Sequence, residues 1–499
     1  MPVNTTHKEY DRVSPMWKRV RDCYGGRDRM LSAGNEYVPD LVALLENTIK
    51  GSTNSDYRKR GSFYNAVTRT VQGMNGHIFQ DPPKALDVTP AVEEYLKDVT
   101  LSGINLELFA MEAGRQIFQV SRYGIFVEMP PEGGERPYLI PYTAEHIINW
   151  RTARFKGDDV LTMVVLHEEV CENDLSDPFK PMEIVQYRVL YLDAENIYRQ
   201  QEWRENPDKK GEFVGGAIIT PTRRGVPLSF IPFVFLGATT ITPLMEEPMM
   251  KDIADVNIAH WRNSVDFEHG LHLVALPTPW CSGLKGVAEG EPIRIGPSTV
   301  WELELQGQAG MLEFTGQGLG SLEKSMDKKE RQMATLGARL LEDAPDSSET
   351  ATGVRMRRSG DYGTIKTVGA VLEEGISVAV RIMAWWDSIE DKVSDVKARV
   401  ELNKNYLQIK ATAQDVLAAF AALQAGKMSF ETWYELLRTG GWTRKGVEVE
   451  QEREDIEKDK PKEPEKPEVV PGEIPEPPAP KVKRIVRNEQ GLIDRIEES

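Results

Sequence analysis

Apolar residues recur three and four positions apart over much of the first 123 residues. From Tyr57 to Ile78 the series Tyr57, Arg60, Tyr64, Val67, Thr68, Val71, Met74 and Ile78 falls on one helix face. Asn75-Gly76 supplies an end for it, and Asp81-Pro82-Pro83 prevents the helix from resuming. A second helix is predicted from about Asn105 to Arg122, with Leu106, Phe109, Ala113, Ile117 and Val120 on one stripe and Gly124 as its stop. Between 124 and 236 the period changes. Ile125 to Val127, Leu161 to Leu166, Ile184 to Leu192, Ile197 to Trp203 and Phe230 to Leu236 are short β-branched or aromatic runs between Gly, Pro and Asp clusters. They predict a β-rich antiparallel region, with Asp193 to Asn196 as a hairpin connection.

Pro243 opens a third helical region, with Ile253, Val256, His260, Phe267 and Leu271 on one side and Asp252, Asp255, Arg262, Asp266 and Glu268 largely opposite, until Pro277 and Pro279 close it. Residues 280–315 are Gly-rich, with strand candidates at Pro292 to Ile295 and Val300 to Leu305. Helical spacing returns at Leu322, Met326, Met333, Leu336 and Leu340, so a small β module joins two long helices. A polar stretch, Glu342 to Thr352, precedes a helix from about Gly353 to Ile389, and Gly426 ends a further one at Ala413 to Gln424. Residues 446–480 read as a linker: eight prolines between Pro461 and Pro480 favour an extended chain. After it, Lys483 to Arg487 and Leu492 to Ile496 form a hairpin that is marginal alone and is expected to dock on something. The fold class expected is α+β.

Composition narrows the function. With 499 residues, 40% hydrophobic and 28% charged, the chain is globular and long enough for two or three packed regions. The formal net charge of -17 argues against a basic nucleic-acid grip. Residues 446–480 hold twelve acidic and five basic residues, a net of -7, so the tail carries much of that acidity. Weak repulsion also suits a wall past which a polyanion must slide. Residues 1–12 lack the basic start and apolar run of a signal peptide, and no stretch approaches the ~18 apolar residues of a spanning helix. A cytoplasm-like compartment and no membrane are expected. Cys23, Cys171 and Cys281 are far apart, predicting inert or buried thiols, not disulfides or zinc.

Candidate chemistry is sparse. Gly316 to Ser321 reads GxGxG with no βαβ unit after it, which favours a hinge capped by Ser321 over a phosphate loop. Gln424 to Ser429 holds a Gly-Lys pair, but Ala421 stands where a Walker-type loop needs glycine. His269 and His272, beside Asp266 and Glu268, fit no metal-ligand spacing, and His260 reads as a core histidine. Asp252 and Asp255 read as a solvated or intersubunit face, and Trp385-Trp386 as packing area. No cofactor, metal or catalytic residue is assigned, and no enzyme is expected.

Four stretches carry a family resemblance: Arg60 to Val67 through Phe79 to Pro83; Ile231 to Val234 with Asp252 to His260; Asp266 to His272 into Ala275 to Pro279; and Met333 to Leu341 into Thr350 to Thr352. Together they resemble phage portal proteins, in particular an uncharacterised-domain branch of that superfamily, over about residues 10–440. The resemblance implies a portal-like subunit: a helical part of a wing (1–123), a β-rich wing (124–242), stem helices (243–276 and 317–342) around a clip (277–316), a channel loop (343–352), a long wing helix with crown-like helices (353–445), the linker (446–480) and the hairpin (481–499). On that reading Asp346, Ser347, Ser348, Glu349 and Thr350 face DNA, and Lys285, Glu289, Glu291 and Arg294 form a docking surface on the clip. Arg355, Arg357 and Arg358 contact DNA phosphates or a neighbouring subunit's carboxylates, the second being the commoner fate of Arg beside many acids. The implied partners are further copies of the chain in a ring of twelve, double-stranded DNA, the terminase large subunit, major capsid protein or scaffold, and tail adaptors. The implied location is the virion, after assembly in the host cytoplasm. A ring is also the natural outcome of packing: a small β module cannot cover two amphipathic helices, and head-to-tail contacts close into rings. The alternative is another head-tail connector or minor capsid protein without a packaging role.

Overall fold

The computed structural model describes residues 2–39, 54–129, 136–337, 351–404, 413–439, 442–459, 483–487 and 493–498, apart from 156, 174–178, 180, 277, 287–292, 295, 297–298, 314, 444–446 and 448. Residues 1–406 form one compact unit and residues 407–499 another. The fold is α+β, as the change of period predicts.

In the first unit α1 (Lys8–Tyr24) is capped by the His7 side chain and buries Val13, Trp17, Val20 and Cys23 at helical spacing. A short α2 (Gly26–Ser32) comes next. The single helix expected from Tyr57 to Ile78 is two: α3 (Asn54–Arg60) and α4 (Ala66–Ile78). Gly61 breaks it, lying so close to Trp261 and Val265 that a Cβ there would come within 2.5 Å of Val265 Cγ2. Asn65 then restarts the helix by accepting the Thr68 N–H at 3.3 Å. Asn75-Gly76 is not its end; Asn75 is buried, its amide donating to the Met111 carbonyl at 3.0 Å.

After β1 (Lys84–Leu86) and α5 (Pro90–Tyr95) comes α6 (Leu106–Val120), with Asn105 as cap. Its stop is Ser121, in the left-handed region at φ 57°, and Gly124 instead lies inside the next strand. That strand, β2 (Arg122–Glu128), is buried along its whole length and sits between β3 (Tyr138–Thr143) and β11 (Phe233–Gly237). The long α9 (Ala351–Asp387) crosses this sheet and packs on α6. At the crossing a Cβ on Gly375 would stand 2.0 Å from Leu236 Cδ2, so only glycine lets helix and strand approach this closely. Trp385 and Trp386 at the end of α9 are core side chains; Trp385 meets the Phe230 ring at 5.5 Å and the Arg223 guanidinium at 4.2 Å. At its other side α9 meets β14 (Arg399–Glu401), which pairs with β1.

The β-rich region is a five-stranded antiparallel meander: β4 (Ile147–Phe155), β5 (Asp158–Asn173), β6 (Pro181–Leu192), β7 (Tyr198–Asn206) and β8 (Lys209–Ile219), with a two-residue ribbon β9 (Thr222–Arg223) and β10 (Val226–Pro227) beyond it. The hairpin at Asp193 to Asn196 forms as predicted. Asp193 Oδ1 accepts the Glu195 and Ile197 N–H groups, and Asn196 takes φ 59°. β4 and β8 are the two edge strands, and their large apolar residues (Ile147, Ile148, Trp150 and Phe155; Phe213, Val214, Ile218 and Ile219) are broken up by charged, polar and glycine positions that hide the strand pattern.

One buried charge cluster ties the two sheets. Arg188 on β6 donates to Glu168 (2.8 Å) and Glu128 (3.2 Å), and Tyr142, Gln186 and Gln200 complete the carboxylates. Burial would lower the pKa of Arg188, but Glu168 and Glu128 override it and hold it above its usual value. At Glu128 burial wins and its pKa is raised.

The second unit contains α10 (Ala413–Gln424), α11 (Phe430–Thr439), α12 (Val449–Asp459), and a hairpin of β15 (Lys483–Arg487) with β16 (Ile493–Glu498). Gly426, at φ 67°, closes α10 in a paired cap, its N–H bonding Leu423 and that of Lys427 bonding Ala422. The expected linker is corrected at its start, because residues 449–459 are helical. Its prolines begin only at Pro461, and the Glu, Lys and Arg before them are good helix formers. Among the described residues no helix is long and apolar enough to cross a membrane. Cys23, Cys281 and Cys171 are free and respectively buried, half-buried and exposed.

Two substitutions test these contacts. Gly375→Ala should destabilise by about 1–3 kcal/mol, despite alanine's better helix propensity, because Leu236 cannot yield; the denaturant midpoint checks it. Arg188→Ala leaves two buried carboxylates unpaired and should cost about 3–5 kcal/mol at neutral pH. Protonation relieves uncompensated buried carboxylates, so this loss should shrink as the pH is lowered toward 5, read from unfolding curves across that range.

Candidate functional site

The region between the two long helices shows the least self-sufficient packing. Here α7 (Lys251–Ala275) begins later than Pro243 suggests, because residues 243–250 are loop and turn. Its buried stripe is Ile253, Ala254, Asn257, Ile258, His260, Trp261, Ser264 and Val265. Of the predicted stripe, Val256 and Phe267 are only half-buried and Leu271 is exposed. The displacement arises because α1, α3, α4 and α8 (Leu319–Leu336) all pack on α7. The polar face is also used within the subunit. Asp255 pairs with Arg19 at 3.0 Å, Asp266 accepts from the Tyr57 hydroxyl, and Arg262 donates to the Tyr37 carbonyl. Asp252 is exposed and the Asp255 side chain is 42% exposed, in keeping with a solvated face.

α7 and α8 run antiparallel, and their contacts step evenly in opposite directions. Ile253 lies against Gly337, His260 Nε2 is 3.1 Å from Glu330, the Asn263 amide donates to Ser325 at 2.9 Å, and Gly270 lies against Leu319. His260 is the core histidine expected, 4% exposed. Burial lowers its pKa, against the pull of Glu330. His269 packs edge-on to Tyr57 at 5.2 Å. Among the described residues no group of three or more His, Cys, Asp or Glu side chains is placed to hold a metal ion.

Beyond Val265 the helix pair leaves the core. Leu276, at the end of α7, is 61% exposed, and α8 buries only Met333. β12 (Thr278–Cys281) pairs with β13 (Ala309–Leu312), and Gly310 lies under the Trp280 ring. These strands replace the predicted ones. The segment from Val300 to Leu305 contributes a single bridge, Leu284 to Leu303, and Arg294 lies outside any strand. The reason is packing: Val300 (93% exposed) and Leu305 (fully exposed) find no partner among the described residues, and β propensity is expressed only against a neighbour. Met311 and Leu312 are exposed as well.

The GxGxG run is a turn into α8. Gly316 takes φ 64° and its carbonyl accepts the Leu319 N–H at 2.9 Å. Ser321 is not the cap; Gly318 occupies that position without a side-chain bond. Of the proposed clip residues, Lys285 pairs with Glu302 at 3.7 Å, the Arg294 carbonyl accepts the Trp301 indole N–H, and Glu289 and Glu291 lie outside the described residues. Asp346, Ser347, Ser348, Glu349 and Thr350 also lie outside them. Arg355, Arg357 and Arg358 fall on α9, where only the backbone is described.

Residues 248–387 match the family model DUF4055, described as a domain of unknown function. That span takes in α7, the β module, α8 and α9. No curated protein matches the chain. Among solved structures, the neck of an empty gene transfer agent (GTA) particle computed with C6 symmetry is 15% identical, with 81% of this chain and 98% of that one covered and a TM-score of 0.39. A chain from the virion of a native gene transfer agent particle is 14% identical, with coverages of 80% and 98% and a TM-score of 0.39. One from the neck of the native particle computed with C12 symmetry is 13% identical, with the same coverages and a TM-score of 0.36.

Sequence patterning led to the expectation that a small β module leaves apolar helix surface uncovered, but not which side chains are exposed, since periodicity marks a face as apolar without saying what covers it. Gly270 offers the direct test of the helix pair. Gly270→Leu, with a Cβ 2.7 Å from Leu319, should splay the distal end of α7 and α8 and cost about 1–3 kcal/mol, visible as a lowered Tm.

Proposed function

We propose that this chain is a portal subunit, a non-enzymatic component that closes into a ring at one vertex of a phage capsid and conducts double-stranded DNA. The observation that carries this reading is the apolar surface that α7, the β module and α8 leave uncovered, from Leu276 and Val300 to Leu305, Met311 and Leu312. Several exposed apolar side chains on one module mark an interaction site. On a module that projects from the core, lateral contact with identical neighbours buries it, and such heterologous contacts close into rings. The sequence resemblance supplies the rest: α7 and α8 are the stem, residues 277–316 the clip, and the ring has twelve subunits.

In this assembly Asp346, Ser347, Ser348, Glu349 and Thr350 face DNA, touching phosphates without holding them, as the acidic balance of the chain suits. Arg355, Arg357 and Arg358 come directly after, placed for phosphate or a neighbour's carboxylates. Lys285, Glu289, Glu291 and Arg294 offer the terminase large subunit and tail adaptors a charged clip surface. Major capsid protein or scaffold surrounds the ring, and the protein resides in the virion after assembly in the host cytoplasm.

Electron microscopy of the purified protein tests the ring. A closed ring of about a dozen subunits with an axial hole is expected. Val300→Asp, Leu305→Asp and Met311→Asp together should give monomers with an unchanged unfolding midpoint, because these side chains contribute nothing to the isolated subunit. A compact oligomer without a channel would overturn the portal reading in favour of another head-tail component.

A further inference from the structure

Residues 2–7 cross the open edge of β4, and we propose that His7 makes them a pH-gated cover: neutral, its imidazole clasps the segment to the edge; protonated, it releases it. β4 is the terminal strand of the meander, and its register with β5 slips between Ile147 and Asn149, leaving Ile148 as a bulged residue without a partner on β5. The segment supplies what β5 does not. The Ile148 carbonyl accepts the His7 N–H at 2.9 Å, and the Asn149 side-chain amide donates to the Thr5 carbonyl at 2.9 Å. The start of the strand edge is thereby covered, while Arg151 to Phe155 stay exposed.

The His7 ring makes two further contacts, and the first needs it neutral. Its Nδ1 accepts the Glu9 N–H at 3.2 Å and so caps α1. Its face stacks on the Trp150 indole, with ring centroids 4.1 Å apart and planes at 23°. The same indole carries the Arg122 guanidinium at 4.1 Å, and Phe235 meets that guanidinium at 4.7 Å. Arg122 is 2% exposed; one nitrogen donates to the Pro243 carbonyl, while Nε and Nη2 are buried without an acceptor. It is a buried cation with no carboxylate against it.

Protonation of His7 therefore acts in three ways in the same direction. It uses up the lone pair that caps α1, it puts a positive charge at the positive end of the helix dipole, and it places that charge beside the buried Arg122 guanidinium on the same indole, where the two repel. Burial is the largest influence, and together with Arg122 on β2 and Lys8 it outweighs Glu9 and Asp11, holding the imidazole pKa below 6.5. β4 presents only the neutral Ile148, Asn149 and Trp150. The released segment binds its proton near 6.5 and the clasped one only at lower pH, so the clasp is intact above about 6.5 and weakens as pH falls below it. The rest of α1 stays in place, held by Val13, Trp17 and Val20 and by the Arg21–Glu145 pair at 2.8 Å.

Hydrogen exchange of the full chain, read by mass spectrometry over residues 2–12 and 146–152 and corrected for the intrinsic rate, tests the gate. Wild type should lose protection between pH 7.5 and 5.5, by up to about tenfold, the limit set by protonation of a free imidazole of pKa about 6.5. His7→Asn, which keeps a capping acceptor that does not titrate, should show no change. Flat wild-type protection, or the same loss in His7→Asn, would overturn the proposal. If His7→Asn is unprotected at both pH values, Arg122→Met decides: removing the second cation should move the wild-type midpoint to higher pH, and an unmoved midpoint refutes the gate.

Discussion

The close approach of α9 to the three-stranded sheet is the contact on which the rest of residues 1–406 depends. From Ile365 to Trp386 this helix buries a near-continuous apolar strip, and Gly375 lets it sit directly on Leu236 of β11. β2, buried on both faces, has α6 and α9 packed on it, and α4 packs on both helices. Fixing α9 fixes the order of these layers. At roughly 55 Å for its 37 residues, it also links the core to the strip of chain beyond α8.

Charge enters this core in two forms. Around Arg188 the carboxylates of Glu128 and Glu168 are matched by one guanidinium and several amide and hydroxyl donors, which makes the joint between the sheets specific in geometry. Arg122 has no such match and is held by aromatic faces, with its pKa lowered to about 9 by burial. The first cluster resists change because both signs are present. The second is sensitive to any added positive charge, which is why a histidine on the same indole has mechanical consequences.

The helix pair of α7 and α8 is built the opposite way. Four helices pack on α7, whereas Leu276 beyond its end and Val300, Leu305, Met311 and Leu312 of the β module are exposed. These exposed apolar side chains are the feature on which the proposed assembly rests.

Much of the secondary structure was legible in the sequence. The stripe of α6, the extent of α10, the Asp193 hairpin and the Gly426 cap rest on interactions within a few residues, so local spacing determines them. The tertiary structure alone decided what depends on distant neighbours. Gly61 breaks a periodic helix because Trp261 and Val265 occupy the space of its Cβ; α7 buries a different stripe because four helices pack on it; and Val300 to Leu305 gains only a single bridge because no partner lies within reach. The proposed channel and clip residues were read from family likeness, and their sequence carries no spacing that fixes a side chain's surroundings. Periodicity reports which residues avoid water; only the packed chain determines which of them find cover, because burial is a property of the neighbours.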